Sequence, residues 1–364
     1  MDAGPAVGHN RASRARTRHH QGNQGRHMKK TAVVAALGAA AVVLAGAVAS
    51  APAQAVTSGS SARNVIARDF PDPGFAKFTT RAQGTKYYLY ATGAGFRVAR
   101  SASPGSGFGI VGNSMSGRPA WTFESTDSSP AELWAPHVFQ TASTPGAERF
   151  TMFFAARREA PGSATNNKHC IGAARSASPT GPFAPAATPL VCPPSGYSEA
   201  IDPAQYTSRY GNRYLVYKIG SYSPRRFQIM AVRVDNATGT KLAGSPQVVL
   251  SAARIGSAVA EAPDVYRDGS GKVHLFVSRN GYKDCNYATQ VWSGSDLFAL
   301  GNPRWVGGMG VSTTDRFCGP GGAEVISDGG VLRVAFHVRK SASPLVRPAW
   351  TGVLRWSNGT PYLS

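Results

Sequence analysis

Three carboxylates sit in matching surroundings. Asp72 lies in Phe70-Pro71-Asp72-Pro73-Gly74, Asp202 in Ala200-Ile201-Asp202-Pro203-Ala204, and Glu261 in Val259-Ala260-Glu261-Ala262-Pro263-Asp264. Each is an acid beside proline and apolar residues, just upstream of a run rich in Tyr, Phe, Val or Leu. Carboxyl groups brought together in a partly apolar pocket differ in proton affinity, so one stays protonated while another stays ionised. Such a set is equipped to cleave a glycosidic bond: one group protonates the leaving oxygen and another activates water on the opposite face. A single Asp-Pro reads most simply as a turn or strand start; three in similar settings ask for more. Glu199 and Asp264 stand three residues from Asp202 and Glu261, on the opposite side by strand alternation, and read as structural.

The elements that must position these acids are strands. Past Val56 no stretch of helical period occurs, whereas short apolar or alternating runs recur at 86–92, 149–156, 213–219, 272–278 and 331–337. Gly84, Gly211-Asn212, Gly269-Ser270-Gly271 and Gly329-Gly330 precede four of them as turn signals. Val98-Ala99-Arg100-Ser101-Ala102-Ser103-Pro104 recurs as Ala173-Ala174-Arg175-Ser176-Ala177-Ser178-Pro179, with a weaker copy at Val291-Trp292-Ser293-Gly294-Ser295-Asp296. Five such units at about 60 residues each predict an all-β fold, a five-bladed β-propeller in one domain, over a pair of sandwiches. Repetition about an axis brings the starts of the units, and the three acids with them, to one end of the central channel.

The 364 residues carry 39 Lys and Arg against 19 Asp and Glu, with 42% hydrophobic residues, 41 Gly and 25 Pro. Low total charge with ample aromatic content excludes a disordered chain, and Gly and Pro without a triplet period exclude collagen. Residues 1–27 form a basic polar extension, with Met28 a candidate true start. Residues 28–55 combine Met28-Lys29-Lys30, a small apolar run to Ala49 and Ala53-Gln54-Ala55, the three parts of a secretory signal peptide; the run is Ala-rich and ends at a cleavage-type site, unlike a membrane anchor. Residues 56–364 keep 32 basic and 18 acidic residues, a net charge of +14. The cations are scattered and no nucleic-acid motif accompanies them, so the charge reads as a general surface property. A secreted, extracellular protein without a membrane span after cleavage, acting as a monomer, is expected. Cys170, Cys192, Cys285 and Cys318 match no zinc spacing and suit two disulfides in an oxidising compartment. Of three connectivities, pairing nearest neighbours gives Cys170–Cys192 and Cys285–Cys318.

The ordered succession Phe70-Pro71-Asp72-Pro73, Leu133-Trp134-Ala135-Pro136-His137, Ile171-Gly172-Ala173-Ala174-Arg175-Ser176 through Pro179-Thr180-Gly181-Pro182-Phe183, Ala200-Ile201-Asp202-Pro203 and Glu261-Ala262-Pro263 resembles glycoside hydrolase family 43, from about Asp69 to His337. That resemblance implies a five-bladed propeller and an inverting glycosidase of the arabinofuranosidase, arabinanase, xylosidase and galactanase group. It makes Asp72 the general base, Glu261 the general acid, and Asp202 the acid that raises the proton affinity of Glu261 and orients it. Phe70 and Trp134 are candidates for stacking on a sugar ring, and Arg279, Asn280 and His337 for reaching substrate. Two departures stand out. Gly319-Pro320-Gly321-Gly322 replaces Gly-Pro-Gly-His, whose His often helps hold a channel metal, and His137 follows Trp-Ala-Pro where an acid is common. No metal ligand is therefore assigned, no cofactor is required, and a channel calcium is in doubt. The expected substrate is arabinose-containing plant cell-wall polysaccharide, with xylosidase or galactanase activity as the alternative within the family, and a sugar-binding propeller without catalysis as the alternative outside it.

Overall fold

A computed structural model of the chain describes residues 61–123, 132–141, 149–158, 168–256, 258–310 and 317–364. The basic extension and the export signal expected from the sequence lie outside the described residues. Within them the only α-helix is the four-residue Ala252–Ile255, and no helix is long and apolar enough to cross a membrane.

Five antiparallel blades make up the propeller. The first runs Gly74–Thr80, Gly84–Tyr90, Arg97–Ser101 and Gly109–Asn113 from the axis outward, and the second Trp134–Gln140, Phe150–Arg157, His169–Ser176 and Ala184–Pro185. The third comprises Glu199–Thr207, Arg213–Tyr222, Arg225–Val234 and Gln247–Leu250, and the fourth Ala260–Arg267, Val273–Arg279, Ala288–Gly294 and Leu300–Trp305. The fifth takes Gly321–Asp328, Val331–His337 and Ala349–Ser357 from the end of the chain, and its outer edge is divided between Arg63–Ile66 and Thr360–Leu363. A strand from the beginning of the domain thus completes the last blade. The second and third blades also touch through one parallel pair, Glu199 with His169.

The five apolar runs read from the sequence are the second strands of the five blades. Those strands are covered on both faces by neighbouring blades, so their apolar residues form unbroken runs. The first strands are shorter in signal because one side faces the channel. Five clusters of buried side chains fill the five gaps between blades. Phe78, Tyr88, Phe150 and Phe154 pack between the first and second, and Phe75, Leu89, Ala335 and Ala349 between the first and fifth. The Ser-Ala-Ser-Pro repeats end the third strands of the first two blades. There the Ser101 and Ser176 hydroxyls accept the backbone N–H of Ser103 and Ser178, which turns the chain outward.

One local device recurs at all five innermost strands, inside the strand in the last four blades and just before it in the first. Asp72, Ala135, Asp202, Ala262 and Gly322 share a left-handed backbone, with φ of 50°, 47°, 53°, 48° and 62°. Proline follows the first four, and an alanine follows Gly322. In the last four blades the pairing register slips at this point. A left-handed non-glycine residue is strained, and a bulge adds one residue to the alternation. Residues at odd spacing across the bulge therefore face the same way. Glu199 and Asp264, expected on the opposite side from Asp202 and Glu261, instead line the same cavity as those acids.

Candidate active site

The innermost strands start at one end of the channel around a cavity of about 360 Å³. Asp72, Asp202 and Glu261, drawn from the first, third and fourth blades, all line it, with Trp134, Glu199, Tyr222, Tyr282, Tyr287 and Arg347. The convergence expected of the three acids is present.

Their surroundings differ. Thr92 Oγ1 donates to Asp72 Oδ2 at 2.7 Å, and Arg347 Nη1 lies 3.0 Å from Oδ1. Burial pushes the Asp72 carboxyl up, but Arg347, then His337 and Thr92, outweigh it and hold the group below the usual carboxylate range. Asp72 is an ionised acceptor suited to polarising a water. Asp202 behaves oppositely. Desolvation first, and the Glu261 charge second, push it up to about 7. Its Oδ2 accepts the backbone N–H of Ala262 at 2.9 Å, which ties it to the residue after Glu261. Glu261 is buried, and its Oε2 is held 2.9 Å from the ammonium of the fully buried Lys218, whose other partner is Glu199 Oε1 at 2.8 Å.

Of the other expected contacts, Trp134 lines the cavity and stacks on His169 at 4.0 Å between ring centroids. Four do not line it. Phe70 is fully buried in the cluster between the first and fifth blades, beneath the Arg97 guanidinium, and has no face left for a sugar. Arg279 points away and donates to the carbonyl of Ile255 at 2.7 Å, closing the end of the short helix. Asn280 is spent within its own loop, donating to Asn286 O at 2.7 Å. His337 is buried behind Asp72 and acts on it alone: its Nδ1 accepts the Asp72 backbone N–H at 3.2 Å while Tyr287 stacks on its ring.

Sequence reasoning missed Arg347, Thr92 and Lys218. Arg347 and Thr92 sit in loops with no distinguishing pattern. Lys218 did carry a signal, a single charge inside the apolar run Leu215-Val216-Tyr217-Lys218-Ile219, because a charge buried in a strand needs a paired acid.

A channel calcium finds no matching donors. At residue 322 the added Cβ of any side chain would stand 3.0 Å from His337 Nδ1, so the His337 ring already fills that space. Because this Nδ1 accepts an N–H, the neutral ring carries its proton on Nε2, so neither nitrogen holds a free lone pair for a cation; burial first, then Arg347, push its pKa down to about 3. One layer deeper, His137, Asp264 and Glu324 bring ligand atoms within 4.8 Å of one another. Glu324 Oε2 is engaged by Phe75 N–H and Asp264 Oδ2 by Val325 N–H, both at 2.7 Å. That leaves one oxygen of each carboxylate for a cation, and water would have to supply most of the six to eight ligands that calcium takes. His137 Nδ1 closes on Glu324 Oε1 at 2.5 Å. Burial alone lowers its pKa, but Glu324 more than reverses this and raises it, which favours the protonated ring beside that carboxylate.

Cys170–Cys192 and Cys285–Cys318 are bonded as expected. The second bond anchors the loop carrying Tyr282 and Tyr287 to the segment before the fifth blade.

A propeller with acids from three blades converging at one end of its channel is the architecture of a glycosidase. The sequence matches the pattern of the glycosyl hydrolases family 43 over residues 62–361, and the chain belongs to that family. Solved structures with the same fold include a thermostable family-43 glycoside hydrolase, 21% identical, with a TM-score of 0.63, covering 86% of this chain and 96% of that one. The α-L-arabinanase of Cellvibrio cellulosa is 18% identical, with a TM-score of 0.60 and coverage of 81% and 95%. The endo-arabinase of Bacteroides thetaiotaomicron is 21% identical, with a TM-score of 0.60 and coverage of 82% and 99%. No curated protein sequence matches the chain.

Proposed function

We propose that the protein is a secreted α-L-arabinofuranosidase or arabinanase that cleaves arabinose-containing plant cell-wall polysaccharide with inversion. The observation that carries this reading is the split in proton affinity among three acids lining one cavity: Asp72 held ionised by Arg347, Asp202 pushed up to about 7. In this mechanism Asp72 polarises the attacking water, and Glu261 donates the proton to the glycosidic oxygen. Asp202, bonded to Ala262 N–H beside Glu261, keeps a proton at this pair and fixes its orientation. Trp134 supplies an aromatic face and Tyr222 and Tyr282 hydroxyls at the cavity wall. Similarity to arabinanases favours arabinose, and the two disulfides favour an oxidising, extracellular setting. A xylan β-1,4-xylosidase from Bacillus halodurans shares the fold at 15% identity and a TM-score of 0.58, which keeps xylose as the second reading.

The test is incubation with linear arabinan, arabinoxylan, xylo-oligosaccharides and galactan, with released sugars separated by chromatography and their anomeric form followed by NMR. Arabinose released first as the inverted anomer is the expected result. Xylose or galactose would move the substrate, and retention of configuration would overturn the roles given to Asp72 and Glu261.

A further inference from the structure

A second cleft, of about 740 Å³ against about 360 Å³ for the catalytic cavity, opens between the fourth and fifth blades. Innermost strands descend from the catalytic end, so the hairpins after the first and third strands lie at the far end, and the cleft is there. Tyr266, Lys272, His274, Arg355, Trp356 and Tyr362 line it. Glu261 lines the cavity and Tyr266 the cleft from one strand, Ala260–Arg267. At a rise of about 3.3 Å per residue, up to about 17 Å of strand separates the two sites.

The cleft repeats an arrangement found at the catalytic cavity. There Trp134 stacks on His169 at 4.0 Å, and Glu132 Oε2 lies 2.7 Å from His169 Nε2. Here Trp356 lies on His274 at 4.3 Å, tilted by 43°, and Asp268 Oδ2 lies 3.0 Å from His274 Nε2. Ser293 Oγ holds the other ring nitrogen at 2.8 Å, and Tyr266 stacks on the imidazole at 6.2 Å. His274 is thus buried and fixed, and it orders an indole that stays 37% exposed. The other five tryptophans are buried or half-buried. An aromatic face already ordered and open to water stacks on the C–H face of a sugar ring at low entropic cost. Polar groups surround it. Lys272 Nζ and the Arg355 guanidinium pair with no carboxylate among the described residues, and no hydrogen bond there uses the Tyr266 or Tyr362 hydroxyl. Asp268, the one carboxylate of the lining, is taken up by Ser270, Lys272 N–H and His274. Its charge offsets one of the two cations, so stacking and bonds to sugar hydroxyls dominate the attraction.

We propose that the far-end cleft is a second saccharide site, which holds a neutral stretch of polysaccharide on Trp356 while the catalytic end cleaves the same polymer. The ligand class follows from the chain being a glycosidase, not from which pentose it releases. A second point of attachment raises the local concentration of cleavable bonds for long chains and does nothing for short ones.

The experiment is electrophoresis of the whole protein through native gels containing arabinan, arabinoxylan, galactan or polygalacturonate, in a Glu261→Gln background that leaves the polymer intact. Retention by a neutral polymer is expected, and it should survive about 0.5 M salt, which screens charges beyond about 4 Å. Trp356→Ala should weaken the apparent Kd about tenfold, the size of one lost stacking contact, and Trp356→Phe should restore most of it. The pair Lys272→Met and Arg355→Met, which keeps the indole, should give a smaller loss in the same direction. With Glu261 intact, Trp356→Ala should lower kcat/KM on the long polymer about tenfold, short of the 10²–10⁴ of ideal bivalency. On a trisaccharide of the same sugar it should change nothing. Undiminished retention in both variants, an equal fall on the trisaccharide, or retention confined to polygalacturonate and lost in salt would overturn the site. Retention that depends on Trp356 with no sugar released removes the proposed function and keeps the cleft; sugar release with retention indifferent to Trp356 does the reverse.

Discussion

Lys218 Nζ, buried from solvent, lies 2.9 Å from Oε2 of Glu261. Glu199 stands 2.8 Å from the same ammonium on its other side, so the Glu261 carboxyl proposed as proton donor lies against a pair of opposite charges. The Glu199–Lys218 pair is neutral as a unit and fixes the Glu261 carboxyl in place. Replacing Lys218 by Met leaves two buried carboxylates facing each other. We expect kcat to fall about 10²-fold with KM nearly unchanged, as for lost alignment of a general acid, and the basic limb of the pH profile to move upward. Double replacement of Lys218 by Met and Glu199 by Gln should recover part of the loss. Steady-state kinetics over pH on an aryl glycoside decide it; an unmoved profile would leave Lys218 a packing residue only.

The raised proton affinity of Asp202 predicts opposite effects of one substitution on activity and stability. Its folded value of about 7 lies above the unfolded value of 3.8. The native state therefore binds the extra proton between these limits, and this contribution to stability is lost as pH rises through 7. Asp202→Asn should be nearly inactive yet melt higher than the parent at pH 8, by about 2–4 °C for each kcal/mol relieved, with a gain less than half as large at pH 5 and none below the unfolded value of 3.8. Melting scans at the two pH values are the check; a gain at pH 5 as large as at pH 8 would contradict the assignment.

Arg347 sets the other end of the profile. It is the largest influence holding the Asp72 carboxyl below its usual range against burial. Arg347→Gln should raise that pKa, so the acid limb of kcat/KM moves to higher pH while the basic limb stays. A pH–rate profile with both limbs unshifted would remove Arg347 from the base.

His137, its proton affinity raised by Glu324, stands against Glu324 and Asp264 as the basic side chain of the one group of possible metal ligands among the described residues. Chelator treatment should therefore leave activity and melting temperature unchanged. His137→Gln leaves Glu324 and Asp264 facing each other without a cation, and should lower the melting temperature more at pH 8 than at pH 5, because Asp264, already pushed up to about 7 by burial and then Glu324, ionises over that interval. Loss of activity on chelation, restored by calcium, would overturn the donor-set argument.

Much of this was legible from residue types. The five second strands, the disulfide pairs and the three acids follow from burial on both faces, nearest-neighbour cysteines and repeated acid–proline settings. The sidedness of Glu199 and Asp264 was not, since alternation presumes an unbroken strand and the left-handed residues at 202 and 262 break it. The clue lay in the proline after each such position, present at Ala135-Pro136 as well as at the acids. Phe70 and Arg279 show the other limit: an aromatic or cation near a site motif is drawn inward or outward by packing from another blade, or by a helix end, which one strand's sequence does not contain.

The outer edge of the fifth blade is made half by Arg63–Ile66 and half by Thr360–Leu363, and Ser61 N donates to Ser364 O. The two ends of the folded domain are therefore neighbours. During synthesis the first strand made has no partner until the last blade emerges, so the ring stays open until then and the half-built propeller carries an unpaired strand. Linking residues 61 and 364 by a short tether and opening the chain in a hairpin remote from the catalytic end would yield a circularly permuted enzyme in which the split, and the wait with it, passes from the fifth blade to another while every catalytic neighbour is kept.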